Sequence, residues 1–328
     1  MKHYHNIKFQ TPLRWWYGFA LRYQDGFKGK REYHILSQIK FTSSAPMNWF
    51  SNQYPWHNVI ETDGFITEID IWNTELTLLS KTFDRLSFLT TLSLSGVMLL
   101  QLPESINKLQ LLKHLQISSD DLIELPDSIS ELIALEKLFI TRGKLTYLPE
   151  SLGNLILLSH LEIDHNALTI LPDSMQNLIR LELLYISNNE LTRLPNFFGD
   201  FIHLKILNVS GNRFTTLPES LIQLVQLERL YISDNSLPEI PNFVFNLTHL
   251  DTLDIERNPL IRFDSFEKII QLQYLYIDRV QLSSLISYFS ENLHLRNNIA
   301  ICQSLIFKLN LDVFDSIETE NGHGFLFP

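Results

Sequence analysis

Cysteine is all but missing from this chain of 328 residues, with Cys302 standing alone. No internal disulfide can form, and metal sites built on C-x₂-C pairs are excluded. A chain that makes no use of disulfides points to a reducing compartment. Glycine is scarce as well, 11 residues and most of them isolated, which leaves no phosphate-cradling loop. No stretch reaches the roughly 18 apolar residues needed to span a bilayer. Met1 to Asn6 lack the apolar run of a secretory signal. No block of like charge stands out as a tail. The formal net charge of −11 disfavours nucleic acid and acidic membrane as general partners. There is no G-x-S-x-G elbow to carry a serine nucleophile. These absences predict a soluble, cytoplasmic protein with no membrane span, no cofactor and no nucleic-acid partner. An effector delivered into a host cell would read the same way.

What the chain does have is leucine in register. The pattern L-x-x-L-x-L-x-x-N-x-L-x-x-L-P begins at Ile66, Leu89, Leu112, Leu135, Leu158, Leu181, Leu204, Leu227, Leu250 and Leu272, stepping 23 residues each time and 22 at the last. Such a period marks one supersecondary unit per repeat, too small to bury its own apolar face, so neighbours must stack. Hydrophobic residues make up 45% of the chain, enough for a continuous core. Three regions follow: an aromatic-rich N-terminal cap over 1–64, about ten repeats over 65–286, and a C-terminal cap and tail over 287–328.

Within a repeat, an L-x-L core such as Leu184 and Ile186 reads as a short strand whose alternate side chains point inward. The second half reads L-P-x-S-I/L, as in Leu102 to Ile106 and Leu171 to Met175. Proline before an acid and a serine suits the first turn of a short helix or 3₁₀ segment. The expected fold is an α/β solenoid, a curved horseshoe with a parallel concave β-sheet and short helical or 3₁₀ segments on the convex side. Ten strands about 4.8 Å apart would make a ribbon roughly 45 Å long. Asn166, Asn189, Asn212, Asn235 and Asn258 share one repeat position, where a buried amide can satisfy backbone groups of the turn. Asp120 and Gly143 take that position earlier, and Thr74, Val97 and Val280 at the edges, which predicts less regular turns outside the central five repeats.

The 23-residue period with L-P-x-x-I/L-x-x-L resembles the intracellular class of leucine-rich repeats found in Ras-suppressor-like, Scribble- and Erbin-like proteins and in many bacterial proteins. The resemblance covers about two thirds of the chain and implies binding of other proteins. The repeats also resemble those of bacterial ubiquitin-ligase effectors. Those repeats are shorter, and only about 40 residues follow them here, too few for the catalytic domain with its nucleophilic cysteine.

Four of the five tryptophans, Trp15, Trp16, Trp49 and Trp56, fall in the N-terminal region. They read as a cap over the first repeat, since a bare sheet edge invites aggregation, or alternatively as a partner or membrane-surface contact. Ile299 to Phe307 reads as a shield over the last repeat, with Cys302 an inert buried thiol.

Two places on the outward strand positions invite chemistry. His160, Glu162 and Asp164 alternate on one strand, with His165 just beyond it. Adjacent pairs could share an ion, but all three span about 13 Å, and Lys137 and Arg142 in the preceding repeat offer ordinary lateral partners. A metal-binding or enzymatic site at His160 and Glu162 is therefore the weaker reading, and no metal or catalytic residue is expected. The stronger one is a patch of outward apolar residues: Leu183, Tyr185, Ile206, Arg229, Tyr231, Tyr274 and Tyr276, with Trp72 extending it at the N-terminal end. Ser187, Ser210 and Ser233 complete an outward column beside it, and Asp234, Arg257 and Arg279 alternate in sign along its rim. Tyrosine and arginine dominate binding energy at interface centres, and a mixed-charge rim around them is the usual layout of a protein interface. The sequence therefore predicts a non-enzymatic signalling scaffold that binds a protein on its concave face.

Overall fold

The computed structural model describes residues 57–72, 76–79, 81–260, 272–278 and 280–281. Eleven strands form one sheet in chain order: β1 (His57–Thr62), β2 (Phe65–Trp72), β3 (Thr91–Val97), β4 (His114–Ser119), β5 (Lys137–Thr141), β6 (His160–Glu162), β7 (Leu183–Tyr185), β8 (Ile206–Asn208), β9 (Arg229–Tyr231), β10 (Thr252–Asp254) and β11 (Tyr274–Tyr276). From β2 onward every pairing is parallel and the inward leucines stay in one row. Leu161 lies opposite Leu138 and Leu184, and the row runs on through Leu207, Leu230 and Leu253 to Leu275. The shortened last step costs no register, because Leu253 still faces Leu275.

The return half of each coil holds the predicted tight helical turns, and they are 3₁₀. Eight five-residue segments run from Lys81–Arg85 to Asn242–Asn246, and seven of them follow a proline whose φ of −59 to −72° sets the entry direction. The serine two residues after the proline does not cap these turns. The hydroxyls of Ser105, Ser128, Ser174 and Ser220 are buried without a hydrogen-bond partner among the described residues. Their smallness matters more: a Cβ added at Gly153 would collide with the backbone and side chain of Ser174, so neighbouring coils meet there in van der Waals contact. Phe198, Phe201 and Leu204 line the same interior, fully buried.

The asparagine column is a ladder. The Asn189 side chain donates from Nδ2 to the carbonyls of Ile163, Ile186 and Ser187 at 2.8, 3.2 and 3.1 Å, while its Oδ1 accepts from Leu168 N at 3.0 Å. Asn212, Asn235 and Asn258 repeat this pattern, and Asn166 makes it with one bond fewer. Each rung ties its own turn to the coil before it. The residue ahead of each asparagine is left-handed: His165, Asn188, Gly211, Asp234 and Arg257 have φ of 51 to 66°.

Two expectations need correction. Arg142 shares the left-handed turn, so regularity extends one repeat beyond the asparagines, with Gly143 in place of a rung because a Cβ there would meet Asn166 Oδ1 at 2.6 Å. At the other end Val280 is not the edge residue of the ladder, being 76% exposed. Gln281 takes that place, its Nε2 donating to the carbonyls of Ile255 and Asn258 at 2.9 and 3.1 Å; its extra methylene spans the one-residue shift. Strand length also varies, from eight residues in β2 to three in β6. The strands are long where the ladder is absent and short where a rung closes the turn at once.

The sheet begins before residue 65. β1 lies antiparallel on β2 through the two-residue turn Asp63–Gly64, both with positive φ (55 and 89°), the geometry that Asp-Gly favours in a hairpin. The N-terminal tryptophans, Cys302, Arg279 and the whole of 287–328 lie outside the described residues.

Candidate functional site

Because β6 to β11 are in register, the outward residues form columns whose neighbours sit about 4.8 Å apart. Leu183 is opposite Ile206, and Ile206 opposite Arg229. Tyr185 is opposite Asn208, and Asn208 opposite Tyr231. Leu183, Tyr185, Ile206 and Tyr231 are each half-buried, and Arg229 is exposed. These five therefore form one contiguous patch over β7, β8 and β9. Tyr274 and Tyr276 on β11 are 50% and 44% exposed and lie beyond β10, which contributes Asp254 between the tyrosines and a buried Thr252. Trp72 is not part of this patch: it ends β2, five strands from β7, about 24 Å along the ribbon.

The neighbouring serine column is a correction. Ser187 and Ser233 are only 5% and 4% exposed. Ser187 N donates to Asp164 Oδ1 at 2.5 Å, and the Ser233 hydroxyl donates to Asp254 Oδ2 at 2.8 Å, with Ser210 Oγ hydrogen-bonded to it at 3.0 Å. These two serines are buried beside the tyrosine column and offer a partner little surface. At the rim, Arg257 forks onto both carboxylate oxygens of Asp234 and lies near Glu256. The pairing holds Asp234 below the usual carboxylate range.

The more buried carboxylates of this face behave differently. Burial raises Glu162, and the nearby Asp164 raises it further. Burial also raises Asp164 and Asp254, against hydrogen bonds from Ser187 and Ser233 that lower them. Tyr185 is raised by burial, then by the phenol of Tyr231 and the carboxylate of Glu162. His160 is lowered by burial and by Lys137, and its Nδ1 lies 2.7 Å from the Ser159 hydroxyl. Among the described residues no group of three or more His, Cys, Asp or Glu side chains is placed to hold a metal ion. No described helix is long and apolar enough to cross a membrane.

The comparisons with known proteins agree with the repeat fold. The family described as leucine rich repeat matches residues 179–237, the stretch that carries β7, β8 and β9. The fold is a leucine-rich repeat solenoid. A leucine-rich repeat protein of Leptospira interrogans is 29% identical with a TM-score of 0.60, over 66% of this chain and 57% of its own. The ectodomain of the plant membrane receptor kinase GASSHO1/SCHENGEN3 from Arabidopsis thaliana, solved in complex with CASPARIAN STRIP INTEGRITY FACTOR 2, is 27% identical with a TM-score of 0.51, over 60% of this chain and 24% of its own. The matched part is thus less than two thirds of the length of either protein. Nothing among the curated proteins matches this chain. Leucine-rich repeat domains are typical of protein-binding scaffolds.

One surface feature escaped the sequence reading. Ile133, Ile156, Ile179, Ile202 and Val225 recur at a single position between the 3₁₀ turn and the strand, each about half exposed or more. Its sequence signal is a column of aliphatics one period apart, outside the strand positions.

Proposed function

We propose that this protein is a non-enzymatic scaffold that binds a partner protein through its concave sheet, centred on Leu183, Tyr185, Ile206, Arg229 and Tyr231. The observation that carries this reading is the contiguity of these side chains: an apolar and aromatic patch with one arginine, held on three adjacent strands. Patches of this composition dominate binding energy at interface centres. Strands fixed by the asparagine ladder lose little ordering entropy when a partner docks. The complex formed by the Arabidopsis ectodomain is consistent with a binding role for this architecture. The cytoplasm is the compartment we propose for this activity, on the ground of the single cysteine.

The test is affinity capture from native cell extract, comparing wild type with a folded Tyr185→Ala, Arg229→Ala, Tyr231→Ala variant. A protein retained by wild type and lost by the variant supports the reading. Equal capture by both places the interface elsewhere.

A further inference from the structure

The column through the centre of the concave face alternates aromatic and acidic residues twice. On β5, β6 and β7 it runs Phe139, Glu162, Tyr185, and on β9, β10 and β11 it runs Tyr231, Asp254, Tyr276, with Asn208 between the two triplets. Each carboxylate therefore has an aromatic side chain on both neighbouring strands, about 4.8 Å away at the backbone.

Neither acid is neutralised within the described chain. The Glu162 carboxylate makes no hydrogen bond or ion pair with a described residue, and the charged group acting on it is another acid, Asp164. Asp254 accepts from the Ser233 hydroxyl at 2.8 Å and from Glu256 N at 3.2 Å, which leaves a lone pair on each oxygen. The cation nearest to it in effect is Arg257, whose guanidinium is already forked onto Asp234. Lys137 stands in the adjacent column opposite His160 and His114, and Arg229 opposite Ile206 and Thr252. A half-buried carboxylate between aromatic rings attracts a cation twice over, by charge and by the ring quadrupoles.

We infer that the two triplets are sockets for two basic side chains of the partner, presented by an extended segment that runs along the column. This deepens the proposed function and rests on it. Glu162 and Asp254 are four strands apart, about 19 Å. An extended chain advances about 3.3 Å per residue, so two arginines or lysines six residues apart reach both sockets from the same side of the strand. The residues between them pass beside Leu183 and Ile206, which sets an apolar requirement for the middle of the segment.

The probe is a fluorescein-labelled peptide, Arg-Ala-Leu-Tyr-Leu-Ala-Arg, blocked at its C-terminus and read by fluorescence anisotropy against the whole chain. Wild type should bind it at least about tenfold more tightly than the same peptide with citrulline for arginine, or one with the arginines three residues apart. Glu162→Gln and Tyr276→Ala should each remove most of that preference while keeping a folded chain with a cooperative melting transition. Equal binding of the citrulline peptide overturns the inference, as does a preference that survives Glu162→Gln. Competition by spermine as strong as that of the peptide itself also overturns it, since the sockets would then take a free polyamine. The two readings fail separately. If capture still depends on Tyr185, Arg229 and Tyr231 while the arginine peptide shows no preference, the sockets fall and the concave interface stands.

Discussion

Asn189 illustrates how much a single amide does in this molecule. Its one side chain bonds three carbonyls and one amide hydrogen, and without it the buried Leu168 N–H and the Ile163 carbonyl would lose their partner. It also offsets the cost of the left-handed Asn188 that precedes it, a conformation unfavourable by about 1–2 kcal/mol for an ordinary L-residue. Asn189→Ala should therefore destabilise by at least about 1 kcal/mol, and calorimetry should record the lower melting temperature. An unchanged melt would mean that the ladder is not a stabilising device. Glu162 makes the opposite case. Its folded-state pKa lies above its ordinary value of 4.5, through burial and then Asp164. Its contribution is therefore fully present below that ordinary value and lost as pH rises through the folded one. Glu162→Gln should raise the melting temperature relative to wild type at pH 7, with the gain vanishing at about pH 4. A gain of equal size at both pH values would show that ionisation is not its source.

At the scale of the element, each coil joins a strand of the parallel sheet to a return segment built on a 3₁₀ turn. The strand and its proline-led 3₁₀ turn were legible because their residues repeat locally: L-x-L for one, L-P-x-S for the other. The hairpin of β1 on β2 carried a local signal too, Asp63–Gly64, yet it lies outside the repeat and was folded into the N-terminal cap. The connection from turn to strand carries Ile133, Ile156, Ile179, Ile202 and Val225 on its outer side. Because more than half of the Ile156 and Ile179 surface is already in water, Ile156→Lys with Ile179→Lys should move the melting temperature by only a few degrees, as surface substitutions usually do. A loss comparable to a core cavity would show that this column is covered by other parts of the chain.

For the whole molecule, stability is a sum over neighbours. Lateral ion pairs such as Lys113 to Glu136 and Lys205 to Glu182, at 2.9 and 2.7 Å, join successive coils. Each is solvent-exposed and contributes about 0 to 1 kcal/mol, so the buried leucine rows and the ladder carry the stacking. The sequence by itself determined the period, the coil's strand and turn, the inward rows and the outward columns, because all of these follow from spacing along the chain. Only the tertiary structure decided how much of each outward side chain reaches water. Ser187, Ser233 and Thr252 share a face with Tyr185 and Tyr231 in the repeat pattern, yet they are buried. Their accessibility depends on the side chains of the coils on either side, which a single repeat does not encode. For the same reason Gln281, one position away from the asparagine register, could be recognised as a rung only once the last coil was packed against its neighbour.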